Sequence, residues 1–287
     1  MFRNILFATE LKERSEEVLS CLLSLPASLV GKVTLLHVLD ERTNGHPLTG
    51  ESEAVLESQE ARLRERGFSV ERFVMKGVPF DVIVHEVQVR GATLTAIGRG
   101  DSPRWKTRVM GETVLRVMEL SPAPVLACSG KTGRPLLEDV VVGVDFSNEA
   151  HHALQETRKL AATARGIFRK ATLLHVHEQK NIDLLLKLVS LEQVEQIVAI
   201  ERERLEEMVR VLEEAGIPEV SVRMRTGKPV DEILADIGEN RPSLVVLGAQ
   251  GQGRSEMYRI GTTAFRVAQM AACPVLVFPL QRPALPF

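Results

Sequence analysis

Two stretches of this chain run in register with one another, and that repetition constrains the fold more tightly than any composition figure. Gly77-Val-Pro79 corresponds to Gly227-Lys-Pro229, Gly98 and Gly111 to Gly248 and Gly261, and Pro124-Val-Leu126 to Pro274-Val-Leu276, all at an offset of 150 residues. Nearer the start of each copy the offset shrinks. Residues 5–10 match 140–145 at an offset of 135, and Leu35-Leu-His-Val38 matches Leu173-Leu-His-Val176 at 138. The second copy therefore carries extra residues in its middle. This divides the chain into a first unit over 1–130, a second over 139–287 and a linker over 131–138, with Gly133 and Pro135 in it.

Each copy alternates strand and helix patterns. In the second, residues 139–144 form a continuous apolar run of the kind a parallel sheet buries on both faces. Ser147 can cap a helix that Gly166 ends, and 171–176 reads as the next strand. Ser190-Leu-Glu-Gln193 is a capping box opening a helix to Ala215, stopped by Gly216. Val220, Val222 and Met224 alternate as a third strand, Pro229 suits a first helical turn, and 244–247 is the fourth strand. A helix over 262–271 and a strand over 275–278 complete the unit. Strands alternating with helices imply an α/β fold with a parallel sheet and helices on both faces, here as two tandem five-stranded domains. Ligands in such sheets sit at the carboxyl ends of strands, where the strand order reverses.

Composition removes several function classes. A net charge of -2 gives no electrostatic footprint for nucleic acid or an anionic membrane surface. No apolar run reaches the roughly 18–20 residues of a membrane span, and the amino-terminal segment reads as a first strand, not a signal peptide. Cys21, Cys128 and Cys273 are odd in number and widely spaced, so neither a disulfide framework nor a thiolate cluster is expected. These features together suggest a soluble, cytoplasmic protein.

The chemistry concentrates after the fourth strand of the second copy, in Gly248-Ala-Gln-Gly251 followed by Gly261-Thr262. Glycines between a strand and a helix start let backbone amides approach an anion, and the helix end adds unpaired donors and a positive dipole. A carboxylate at the end of the first strand, Asp145, can accept hydrogen bonds, and Thr hydroxyls add donors.

Two copies of a five-stranded α/β unit carrying G-x2-G-x9-G-(S/T) resemble the universal stress protein family in tandem form. The resemblance covers nearly the whole chain, including the strand-1 Asp, the Leu-His-Val of strand 2 and the Pro-Val-Leu of strand 5. It implies Rossmann-like, adenine nucleotide alpha hydrolase-like domains with strand order 3-2-1-4-5, pairing through the fifth strand, and binding of ATP, ADP or AMP, with Mg where a triphosphate is held. On this chain it implies Asp145 and Val176 beside adenine and ribose, and Leu247 and Gly248 at the ribose end. Gly251, Gly261, Thr262 and Thr263 would hold phosphates, with Arg254 closing over them.

The first copy departs from this pattern where it matters. Asp101 replaces Gly251, Glu112 replaces Thr262, and strand 1 ends in Glu10. A carboxylate about 4 Å from a phosphate costs roughly 4 kcal/mol at an effective dielectric near 20, and loss of a glycine at φ > 0 adds about 1–2 kcal/mol. A micromolar site would fall to about millimolar. Arg99, Arg104, Lys106 and Arg108 are the nearby cations that could compensate.

Other features read as structural. His37 and His175 occupy equivalent strand positions and are expected to be half-buried; His177 shares the face of His175, but no third ligand stands at zinc-like spacing, so no metal is expected. The charged helix 192–214 should be a solvated face with an apolar underside, and Trp105 and Tyr258 pack locally. Gly130-Lys-Thr132 is not a P-loop, since Val125 stands where a glycine is required. No nucleophile elbow or carboxylate pair marks a catalytic centre, so the reading is a nucleotide-binding stress or signalling protein, with a nucleotide-independent adaptor or a slow ATPase as alternatives. The loop 250–260, carrying Tyr258 and Arg259, is expected to become ordered when nucleotide binds. Strands 124–128 and 274–278 are apolar sheet edges that need covering. Pairing with one another inside one chain would do so, and pairing between chains in a homodimer is the competing arrangement.

Overall fold

Short apolar runs make the centre of the molecule. The computed structural model describes residues 2–43, 48–99, 111–128, 133–251 and 260–280. In the first half they form β1 (Asn4–Thr9), α1 (Glu13–Leu23), β2 (Lys32–Asp40), α2 (Gly50–Glu65), β3 (Ser69–Gly77), α3 (Pro79–Val89), β4 (Leu94–Gly98), α4 (Glu112–Leu120) and β5 (Val125–Cys128). The second half repeats the order with β6 (Asp139–Gly143), α5 (Asn148–Thr163), β7 (Lys170–Glu178), α6 (Gln179–Leu188), α7 (Leu191–Glu214), β8 (Glu219–Gly227), α8 (Pro229–Asn240), β9 (Leu244–Gly248), α9 (Thr262–Met270) and β10 (Val275–Phe278).

The helix starts follow the local chemistry. Ser147 accepts from the Ala150 amide at the start of α5, and Ser190 and Gln193 close a reciprocal capping box on α7. Pro79 and Pro229 occupy the first turns of α3 and α8, where a missing amide costs nothing. The extra residues of the second half lie largely in α7, which has 24 residues against the 16 of α2; before it stands α6, a helix that the sequence pattern did not mark. None of its residues is buried.

All the described strands join one sheet in the order β3-β2-β1-β4-β5-β10-β9-β6-β7-β8. Within each half the pairing is parallel; β5 and β10 alone meet antiparallel, with Leu126 opposite Leu276. The two apolar edges cover one another inside a single chain. Because the joint is antiparallel, the carboxyl ends of the strands point one way in the first half and the opposite way in the second.

Alternation along each strand divides the core into two layers. Val140, Val142, Leu244, Val246 and Leu276 face α1, α2, α5 and α7, while Val141, Val245, Leu247 and Val277 face α3, α4, α8 and α9. Each fully buried aliphatic or aromatic side chain contributes about 1.5–3 kcal/mol. The underside of α7 is apolar as expected, with Val194, Leu205 and Leu212 buried. Its outer surface is less polar than expected, since Leu191, Ile197 and Ile200 are exposed, and Leu184 and Leu188 of α6 next to it are exposed as well. No helix among the described residues is long and apolar enough to cross a membrane.

The halves are held by more than the strand joint. In the described part of the linker, Leu136 and Leu137 are buried, the Leu136 amide donates to Ser24 Oγ, and Ser243 Oγ donates to the Leu136 carbonyl. Arg99, at the end of β4, is buried and donates to the carbonyls of Ala268 and Ala271 at the carboxyl end of α9. That end carries the negative pole of the helix, so the guanidinium is well placed there. Arg99 thus ties the end of β4 to the other half; Arg104, Lys106 and Arg108 lie outside the described residues. The three cysteines are free and buried. The fold brings Cys21 beside Cys128 despite their distance in sequence. Burial, and then the contact with Cys21, raise the Cys128 thiol, and burial pushes Cys273 up to about 12. All three belong to the buried apolar core.

Candidate functional site

The carboxyl ends of β6 and β9 lie side by side in the second half, at the place where the strand order reverses. Asp145 follows β6 and turns the chain into α5. One of its carboxylate oxygens accepts from the Ser147 amide at 3.0 Å. Phe146, between them, sits at φ 60, a left-handed conformation costing a bulky residue about 1–2 kcal/mol. Leu11 repeats it at φ 58 in the first half, so the turn belongs to both copies.

The three glycines of the motif do three different things. A Cβ on Gly248 would come within 2.8 Å of the Glu149 backbone, so this glycine lets the first turn of α5 close onto the strand end. Gly98 meets Arg14 in the same way at 3.1 Å, which explains why both copies keep it. Gly251 is different: a Cβ there would lie 2.2 Å from Asp145 Oδ2. The loop after β9 therefore passes directly over the Asp145 carboxylate. Gly251 is absent from the positive-φ residues, so the sequence-based expectation of a left-handed glycine fails. Space, not φ, requires a glycine here. Gly261 caps α9, its amide donating to the Ala249 carbonyl at 2.6 Å, while Ala249 donates to Phe278 at 2.8 Å.

α9 begins without a side-chain cap, and its first turn presents Thr262, exposed, and Thr263, half-buried. An uncapped helix start with glycine before it and two hydroxyls on it suits an anion. Val176 is half-buried near the end of β7, against the layer that contains Leu247. Leu247 is 5% exposed, its side chain packed over Gly143, so only its backbone is available at the strand end. Arg254 and Tyr258 lie outside the described residues, as do Asp101 and Trp105 of the first half. A cavity of ≈ 550 Å³ lined by Val87, Gly91, Pro124 and His152 opens at the amino ends of β4 and β5, away from these loops, and carries none of this chemistry.

The first half presents a different surface at the equivalent helix start. Glu112 opens α4 and pairs with Arg42 at 3.0 Å; Arg42 also holds Asp40 at 2.9 Å. Hydrogen bonding to Arg42 keeps the Asp40 carboxyl below its usual range. A carboxylate of the chain thus occupies the first turn of α4, where an external anion would otherwise be stabilised.

One constellation was not legible from spacing. His175 and His177 face α7, and Glu201 on that helix comes to them, so that donor atoms of the three lie within 4.8 Å of one another. The sequence contained a signal for it: Glu201 stands on the stripe that Val194, Leu205 and Leu212 bury, an unusual place for a carboxylate. Burial first, then His175, lower the pKa of His177, while Glu201 opposes the shift.

The sequence profile of the Universal stress protein family matches residues 1–129 and again 137–279. The chain belongs to this family. Universal stress protein MJ0577 of Methanocaldococcus jannaschii is 24% identical over 157 residues, 46% of this chain and 97% of that protein. Among solved structures, a universal stress protein from Archaeoglobus fulgidus superposes with a TM-score of 0.74 at 23% identity, over 97% of this chain and 98% of its own. A functionally unknown protein, PA1789 from Pseudomonas aeruginosa, gives 0.67 at 18% identity over 96% and 92%. As a universal stress protein, the chain is a tandem member, with two units of the fold fused through their fifth strands.

Proposed function

We propose that this universal stress protein binds one adenine nucleotide per chain, in its second half, and acts in stress response or signalling through the liganded state. Asp145 accepts from the ribose or adenine, near Val176 and the backbone of Leu247 and Gly248. Gly251, Gly261, Thr262 and Thr263 hold the phosphates, with Arg254 closing over them. The observation that supports the reading is Gly251 lying over Asp145 beside the start of α9, so that a carboxylate, a closely approaching backbone and two Thr hydroxyls share one strand end. The first half is a structural copy: Asp101 replaces Gly251, and Glu112 already holds the helix start.

The test is to denature the purified full-length protein and identify what is released by mass. An adenine nucleotide approaching one equivalent is expected, or uptake of one equivalent on incubation with ATP, ADP or AMP. A protein that releases none and takes up none would instead be a nucleotide-independent adaptor.

A further inference from the structure

His175, His177 and Glu201 lie on the α7 side of the sheet, outside the groups assigned to the nucleotide. The Nδ1 atom of His175 is 2.7 Å from the Val144 carbonyl, so it carries the proton and leaves Nε2 with a free lone pair. A ring held by one nitrogen on a backbone carbonyl is the usual support of a histidine that ligates through the other. The first half separates the two roles. His37 makes the same bond to the Thr9 carbonyl at 2.9 Å, but Leu39 stands where the second half has His177. A packing role therefore accounts for the bonded ring in both halves and leaves His177 and Glu201 unexplained.

These two are the anomaly. His177 Nε2 and Glu201 Oε2 are buried atoms with no hydrogen-bond partner. His177 Nδ1 is 3.3 Å from Glu201 Oε2, within ion-pair reach but without the alignment of a hydrogen bond. Two buried polar atoms without partners, on neighbouring side chains, carry a desolvation cost. A cation held by His177 and Glu201 would give the carboxylate oxygen the partner it lacks.

We propose that His175, His177 and Glu201 form a divalent-metal site that takes zinc. Two imidazoles and one carboxylate are a donor set suited to zinc, leaving a fourth position for water. With metal–donor distances of about 2.0–2.2 Å, tetrahedral ligands stand about 3.3–3.6 Å apart. The donors, within 4.8 Å of one another, need close by no more than about 1.5 Å. The ion ties α7 to β7. The Phe146 ring, 4.9 Å from that of His175, connects this tie to the turn that follows Asp145.

The test uses the full chain, stripped with chelator and dialysed against zinc alone, with metal content read by elemental mass spectrometry. One zinc per chain and a higher Tm in zinc are expected. Cobalt in its place should give the strong visible absorption of a four-coordinate site. His177→Leu, which installs the residue of the first half, and Glu201→Gln should each weaken zinc binding by more than the roughly 10–100-fold typical of losing a supporting contact. Both variants should keep or exceed the metal-free Tm of the parent. A parent chain that takes up no zinc at micromolar concentration, or variants that both retain it, overturns the proposal.

Discussion

Gly251→Asp should weaken adenine-nucleotide binding by a hundredfold or more. The new Cβ would stand 2.2 Å from Asp145 Oδ2, which forces the carboxylate out of its bond to the Ser147 amide or lifts the loop away from it. The added charge compounds the displacement. A carboxylate about 4 Å from a phosphate is repelled by roughly 4 kcal/mol at an effective dielectric near 20, and each 1.4 kcal/mol is tenfold in affinity. Gly251→Ala isolates the steric part and should fall between the parent and Gly251→Asp. Titration calorimetry at fixed ionic strength measures all three. Affinity within tenfold of the parent for Gly251→Asp would mean that the ligand does not use the loop over Asp145.

A charge at the joint between the halves should have the largest effect on stability. Leu276 is 2% exposed and lies opposite Leu126 in the only antiparallel pairing among the described strands. Leu276→Asp buries a carboxylate with no partner and removes apolar packing from both halves at once. Each of these mechanisms costs about 3–5 kcal/mol. At about 2–4 °C per kcal/mol for a chain of this size, Tm should fall by at least about 10 °C. Val74→Asp, at a position 39% exposed, is the control and should move Tm by a few degrees at most. A Leu276→Asp protein that melts with the parent would show that the two halves do not depend on their shared strand pair.

How much of this was legible in the sequence varied with the physics involved. Continuous apolar runs gave β6, β9 and β10, because a strand buried on both faces has no other way to look. Ser147, the Ser190–Gln193 box and Pro229 marked true helix starts, since capping is a local interaction. α6 was missed although its apolar residues recur at helical spacing: it buries no residue and has no side-chain cap to mark its start. The site was legible in part. The motif located the glycines but not their reasons. Gly248 is needed for helix packing and Gly251 for clearance over Asp145, and the residue type is the same for either cause. Leu247 was placed at the ribose end by the family resemblance; alternation turns its side chain into the core and leaves its backbone at the strand end. Glu201 could not be paired with His175 and His177 from spacing, because the register of α7 against β7 is a tertiary fact.

The most direct test of the central claim is the stoichiometry of nucleotide binding to the unmodified chain by titration calorimetry, after any bound nucleotide has been removed. The account predicts one adenine nucleotide per chain, with the first half contributing none. Two per chain, or none at millimolar nucleotide, would contradict it.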